Sequence, residues 1–409
     1  NCGTDLSSDT TGYTSSDSFM QTVARTSADE FVAYSEKLSA LGYKKTFEST
    51  TEENIYIQYE GGGKLIYAYY INSLSTAKII DDRSSDANLS QFSYTCDYNG
   101  STKIYQFGLY QAGNTHTTMD CGMIYIIKQS DNSLFVIDGG HQFQATDAAT
   151  DELMSFMHEI TETAEDERIT ISAWFITHAH TDHLMLAAKL LHRYHDEIDL
   201  ERVMFNFPSF QTVKSGYRAF PTTWFKHIVT TYYDNAVFMK PHTGMNFNLG
   251  DLQIEVMYTH EDAVTASRPS SCSVTNFNST STVLKITINQ SAFMLLGDTD
   301  TEAEAIITSM YRSPDTFKSD IVQVSHHAFN YLRTLYNWIA PELALVPNSR
   351  SNATSSTNLP KLADVIKFTG EENVYYEGDG TYGFGLTDDG WKLVYEAEVV
   401  GGPYDGSGM

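Results

Sequence analysis

The chain has 409 residues, with 26 basic against 52 acidic side chains and a formal net charge of −26. That field opposes duplex binding, which needs Lys and Arg to neutralise phosphates, and no run approaches the ~20 apolar residues of a membrane-spanning helix. The length leaves room for a large core and for two domains.

Residues 1–18 are polar and rich in Ser and Thr, and read as a flexible tether. Cys2 looks like the lipidated cysteine of a bacterial lipoprotein after removal of its signal peptide. It predicts an extracellular or cell-surface location, with membrane contact through that anchor alone. Cys96, Cys121 and Cys272 then remain, an odd number without zinc-knuckle spacing. Ser27 and Glu30 form a capping box ahead of an apolar face of Phe31, Tyr34, Leu38 and Leu41, and Gly42 stops that helix. Asn54–Tyr59 and Lys64–Ile71 around Gly61-Gly62-Gly63 predict a hairpin, followed by a polar loop from Asp81 to Asn88. Residues 19–104 therefore read as a small N-terminal α+β domain.

From residue 105 to 409, strands and helices alternate as a layered αβ/βα sandwich requires. Leu134–Ile137 is an apolar strand ending at Asp138-Gly139-Gly140, and a helix is predicted near Ala148–Ile160. Ile169–Ile176 reads as a buried strand. It runs directly into Thr177-His178-Ala179-His180-Thr181-Asp182-His183, after which Leu184–Leu191 reads as a helix. Open α/β folds place their sites at such strand ends. His178 and His180, two apart in extended chain, point to the same side and can offer neutral nitrogens to one ion. Asp182 and His183 project from the first helical turn toward a neighbouring ion or its water. A zinc-like ion lowers the pKa of its water and so makes hydroxide available as a nucleophile. Three imidazoles and a carboxylate in seven residues read as a ligand set rather than as scattered surface histidines.

Most of the 26 Tyr, 22 Phe and 4 Trp must be core. Phe207, Phe210, Tyr217, Phe220, Trp224 and Phe225 are candidates to line a pocket for a sugar or a quaternary ammonium head. His242 sits in a turn and His260 follows the strand Leu252–Met257; the strand-end position favours His260 as a ligand. Ala292–Leu296 delivers Gly297-Asp298, and Asp300-Thr301 would cap a helix over Glu302–Met310. Asp320–Val324 ends in Ser325-His326-His327. Strands near Val374–Tyr376 and Trp391–Tyr395 are expected to complete the second sheet.

The string His178-x-His180-x-Asp182-His183 resembles the HxHxDH signature of the metallo-β-lactamase-fold hydrolases. Asp138, Asp298 and His326, each at a strand end, resemble that family's first, fourth and fifth motifs in the family's order. The resemblance implies a four-layer αβ/βα sandwich and a dinuclear centre of divalent ions, zinc first, with manganese or iron compatible with the same ligands. It implies that His178, His180 and His260 hold one ion, that Asp182, His183 and His326 hold the other, and that Asp298 bridges them. Asp182, Asp298 and His327 would then serve catalysis. His327 would contact substrate or protonate the leaving group, or else hydrogen-bond behind a ligand, and Asp138 would orient the ligand loop. His180 stands where the oxygen-reducing di-iron branch carries Glu, and Asp298 where the antibiotic-hydrolysing enzymes carry Cys. Both differences point to hydrolysis of a phosphodiester or related ester, of a small molecule or a cell-surface polymer.

Residues 276–286, with Leu295-Leu296-Gly297-Asp298 and Val324–Ala328, resemble a branch that includes competence-protein hydrolase domains and phosphorylcholine esterases. This likeness spans roughly residues 105–400. Leu184-Met185 replaces glycines that often follow the Asp-His pair, which predicts a bulkier pocket floor, and Ala328 stands where that branch commonly has Gly. The same residues leave room for a lactonase or other acyl hydrolase, for a nuclease, which the charge opposes, and for a surface binding protein without catalysis.

Overall fold

The computed structural model describes residues 18–110, 121–208, 219–265, 268–272 and 276–399. The tether and Cys2 lie outside them, as do Phe210 and Tyr217 and the side chains of Phe220 and Cys272.

Among the described residues, two large sheets stack face to face. The first runs in the spatial order 237–239, 202–205, 169–176, 134–138, 124–128, 103–106, 381–387, 390–397. The second runs 374–376, 343–346, 321–323, 291–295, 283–288, 252–258, 246–250, 94–95. Period-two alternation divides the first sheet cleanly between two cores. Tyr125, Ile127, Phe135, Ile137 and Phe175 face the second sheet, where they meet Ile254, Val256, Ile286, Phe293 and Leu295. Ile124, Ile126, Val136, Trp174 and Ile176 face outward, under the helices Asp147–Thr161 and Thr181–Arg193. Ala303, Ile307, Leu335 and Leu362 cover the second sheet from helices on its other side. The result is the αβ/βα sandwich expected from the alternation of elements.

Local signals land close to where they were read. Ser27 and Glu30 make the capping box of the helix Ala28–Ala40, and Asp300 caps Thr301–Met310 by accepting from Glu302 N and Ala303 N. Gly62 and Gly63, at φ +60° and +71°, turn the hairpin between Asn54–Gly61 and Lys64–Ile71. Two successive left-handed residues suit the right-handed twist of the flanking strands, and glycine adopts them without strain.

One strand differs from expectation. Val374–Tyr376 edges the second sheet, but Gly390–Ala397 belongs to the first. Its partner, Thr381–Thr387, already pairs antiparallel with Lys103–Gln106, so the hairpin that follows must stay on that sheet.

The N-terminal unit is a five-stranded antiparallel sheet. One face, with Ile57, Tyr59, Ala68 and Tyr70, packs under Phe31 and Leu38 of its helix. The opposite face, with Tyr56, Tyr67, Tyr69 and Ile80, is continuous with the core of the sandwich. The short strand Tyr94–Thr95 also joins the second sheet, in parallel with Asn246–Gly250.

Candidate metal centre

Leu134–Asp138 and Ile169–Ile176 are parallel neighbours in register at Ile137 and Phe175, so both deliver their C-terminal residues to one edge of the sheet. Asp138 turns there with φ +57°. Its backbone continues into Gly139 and Gly140, on which the ligand helix is docked. Ala187 N donates to Gly139 O at 2.9 Å and Met185 N to Gly140 O at 3.2 Å. The approach is tight: a Cβ on Gly139 would lie 2.2 Å from Ala187 Cβ and 2.7 Å from Ala187 N. Gly139→Ala is therefore expected to destabilise the fold by about 2–3 kcal/mol in chemical denaturation. The same shift of the helix should lower the amount of divalent metal retained.

The Asp138 carboxylate accepts from Thr177 N at 2.7 Å, from Thr177 Oγ1 at 2.8 Å and from His183 Nδ1 at 2.7 Å. With Nδ1 donating to Asp138, His183 turns Nε2 into the site, where a cation would replace the second proton that the surrounding carboxylates favour on the ring. His327 is held the same way, its Nδ1 donating to Pro347 O at 2.7 Å. Asp138→Asn removes a charge that orients a ligand, and an expected ten- to hundred-fold loss of metal affinity can be read by competition with a chelator.

Two donor groups result, and they share Asp298. Asp182, His183, Asp298 and His327 converge in one, and His178, His180 and Asp298 in the other, with the donor atoms of each group within 4.8 Å of one another. His183 Nε2 stands 3.3 Å from Asp298 Oδ1, and His327 Nε2 3.3 Å from Asp182 Oδ2. His178 Nε2 stands 3.7 Å from Asp298 Oδ2 and 3.0 Å from His180 Nδ1. Burial opposes charge on every one of these groups, and the neighbours decide which stay charged. Asp298, Asp138 and Asp182 outweigh burial at His183 and hold its pKa well above the ordinary histidine value. Burial, reinforced by His183, holds His178 well below it. At Asp298 the histidines 183, 327 and 326 overcome burial and keep the carboxyl well below its usual range.

The turn Ser325–Ala328 separates two adjacent histidines. His326, His327 and Ala328 are all left-handed, at φ +46°, +52° and +65°. His327 is thereby buried and stands in the donor group, where the sequence had suggested His326. His326 lies at the rim, its side chain 24 % exposed, with Nε2 3.8 Å from Asp298 Oδ2 and 2.9 Å from Asn278 Nδ2. The twist that exchanges them is a backbone property that residue spacing does not reveal.

The two alternative ligand candidates, His242 and His260, lie outside the donor groups. His260 is buried in the turn His260–Ala263 and is in neither donor group. His242 lies between Glu261 Oε2 at 2.8 Å and Asp82 Oδ2 at 3.3 Å, an ion-paired position outside both donor groups. Leu184 and Met185 are buried in the outer core, so they do not floor a pocket. Phe207 and Phe225 are core residues packed on Phe205, at 4.2 and 6.3 Å between ring centroids. Trp224 lies against His192. Sequence reasoning passed over Asn278, whose only signal was its place in the stretch before the strand that leads toward Asp298.

Residues 122–206 match the family model described as the Metallo-beta-lactamase superfamily, a span that holds Asp138 and the whole ligand loop. No curated protein matches the chain. Among solved structures, the metallo-beta-lactamase fold protein YhfI from Bacillus subtilis is 11 % identical, with 67 % of this chain and 95 % of that one covered and a TM-score of 0.36. Zn(2+)-bound PqqB from Methylobacterium extorquens is 7 % identical, with 67 % and 97 % covered and a TM-score of 0.37. Unliganded yeast PDE1 is 10 % identical, with 67 % and 96 % covered and a TM-score of 0.35.

Proposed function

We propose that this chain, which carries a domain of the metallo-beta-lactamase superfamily, is a dinuclear metal-dependent hydrolase of a phosphodiester or related ester. One observation carries the reading: His183 Nε2, His327 Nε2 and Asp298 Oδ1 are buried, face one another, and have no hydrogen-bond partner among the described residues. Unpaired nitrogen and oxygen atoms in such a cluster cost free energy unless a partner, here a cation, completes them. His178, His180 and Asp298 would hold one ion, and Asp182, His183, Asp298 and His327 the other. Bound there, divalent ions would supply Lewis acidity to the ester and lower the pKa of coordinated water toward neutrality.

The chain's own residues do the rest. Asp138 and Pro347 O fix the two inner imidazoles. His326, at the rim, accepts from Asn278 on Nε2, which leaves an N–H on Nδ1 to hydrogen-bond a substrate oxygen. An all-nitrogen and carboxylate donor set, shared through Asp298, suits zinc or harder ions and phosphoryl oxygens. A lipid anchor at Cys2, placing the enzyme at a cell surface, is part of the proposal.

The test is metal analysis of the purified protein, then assay of a generic phosphodiester, a phosphocholine ester, a lactone and DNA, with His178→Ala as control. Turnover of the phosphorus esters alone supports the reading. Folded protein that takes up no divalent metal, or activity that survives His178→Ala unchanged, overturns it.

A further inference from the structure

The interior between the sheets holds a second polar cluster that the donor groups do not use. Glu377 follows the edge strand Val374–Tyr376, is fully buried, and has no hydrogen-bond partner on either carboxyl oxygen among the described residues. Tyr125 Oη and Gln106 Oε1 are buried and equally without one. Gln106 and Tyr125 are register partners on adjacent strands, so their side chains leave the same face of the first sheet. That face looks toward the second sheet: Tyr125 lies 5.9 Å from Phe293 between centroids, and Gln106 Nε2 donates to Val346 O at 3.0 Å. The donation points Gln106 Oε1 away from Val346.

The turn that carries Glu377 is tied to the donor groups. Gly378 N donates to Asn348 O at 3.2 Å, and Asn348 Nδ2 donates to His327 O at 2.7 Å. Burial raises the Glu377 carboxyl well above its usual range, opposed by His183, and Tyr125 lies within electrostatic reach of both Glu377 and Asp138. An unpaired polar atom in an interior costs about 1–3 kcal/mol, and folded proteins complete such clusters with buried water that makes about three bonds to them. An ionised carboxylate without a partner costs more than a neutral acid.

We propose that Gln106, Tyr125 and Glu377 line a closed chamber between the sheets that binds ordered water. Burial favours Glu377 there as the neutral acid. The acid and Tyr125 each offer an O–H, Gln106 offers an acceptor, and water supplies both. Neutrality matters to the neighbouring site. Asp138, Asp182 and Asp298 already place three carboxylates there, and an ionised Glu377 would add a fourth. The bearing on the donor groups rests on the metal-centre reading, whereas the chamber itself does not.

The experiment compares wild type, Glu377→Gln and Glu377→Leu as metal-loaded protein, by infrared difference spectroscopy, thermal melting across pH and metal content. Glutamine imitates the neutral acid in shape and hydrogen bonding. A folded-state pKa above the unfolded 4.5 means that stability falls as pH rises from 4.5 toward the folded value. Expected are a protonated-carboxyl band at neutral pH that vanishes in Glu377→Gln, and a melting advantage of Glu377→Gln that grows by several degrees between mildly acidic and mildly alkaline pH. Metal content should be unchanged in Glu377→Gln, and Glu377→Leu should melt below both. The proposal is overturned by absence of the band, by a pH-independent melting difference, or by loss of metal in Glu377→Gln. None of these readouts uses turnover, so a failed hydrolase assay leaves the chamber standing, and absence of the band leaves the hydrolase reading standing.

Discussion

Asp298→Ala should remove a donor from both groups at once, because Asp298 is the residue they share. Bound divalent metal is expected to fall from two ions per chain to one or none, and kcat/KM on any turned-over ester to fall by about a thousandfold or more. His178→Ala is the contrast, since it touches one group alone; it should spare an ion on the Asp182, His183 and His327 side. Metal stoichiometry by elemental analysis separates the two variants. Equal stoichiometry in both would mean that Asp298 does not link the groups. The substitution is not expected to unfold the protein: Asp298 faces imidazoles across distances of 3.3–3.8 Å, and truncating it leaves the cores on either side of the first sheet intact.

Asp82→Ala should be the most destabilising substitution away from the metal centre. Its carboxylate accepts from Ser84 N at 2.9 Å, Ser85 N at 3.2 Å and Ser85 Oγ at 2.6 Å, and faces His242 Nε2 at 3.3 Å. His242 stacks on Tyr67 at 5.0 Å, and Tyr67 donates to Thr243 O at 2.9 Å. Tyr69 donates to Asp262 at 2.7 Å, and Lys78 donates to Glu261 O. Through these contacts the N-terminal sheet grips both the His242 turn and the His260–Ala263 turn. Breaking one partner of a buried pair costs about 3–5 kcal/mol, and chemical denaturation at pH 6 should show a loss of that size.

The pH dependence follows from the partners. Burial alone would lower His242, but Glu261 and Asp82 outweigh it and raise its pKa to about 9. Burial would raise Asp82 and Glu261; His242 outweighs it, lowering Asp82 well below the carboxylate range and Glu261 to about 2. The histidine contribution is complete below its unfolded pKa of ~6.5 and is lost as pH climbs through about 9. The carboxylate contribution is complete above ~4.3 and is lost as pH falls toward the depressed values. The stability gap between wild type and Asp82→Ala should therefore be widest near pH 5–6 and narrow on both sides. A gap that does not vary with pH would show that the Asp82–His242 contact does not carry the effect.

Much of this was legible because the informative residues are local. The spacing of His178, His180, Asp182 and His183 is set by a strand end and one helical turn, and both geometries follow from sequence. The capping box at Ser27 and the glycine turn at 62–63 are likewise decided within a few residues. What escaped depends on contacts made across the fold. Which of His326 and His327 turns inward depends on three left-handed residues, none of them glycine. His242 and His260 each follow a plausible ligand pattern, yet residues some 160 positions earlier, on the N-terminal sheet, fix the first of them as an ion-pair partner. Gly390–Ala397 reads as a strand from its pattern, but only the pairing of Thr381–Thr387 decides which sheet receives it.

The tyrosine face of the N-terminal sheet has a practical consequence for anyone who trims this protein. Tyr56, Tyr67 and Tyr69 are fully buried against the sandwich, and Tyr94–Thr95 forms an edge of its second sheet. A truncation beginning at residue 105 would bare the surface those side chains cover, unpair that edge, and leave Glu261 and Asp262 without Lys78 and Tyr69. Large apolar patches and free strand edges are routes to self-association. A fragment that keeps the N-terminal sheet together with the sandwich retains these contacts, whereas one cut at the apparent domain boundary loses them all.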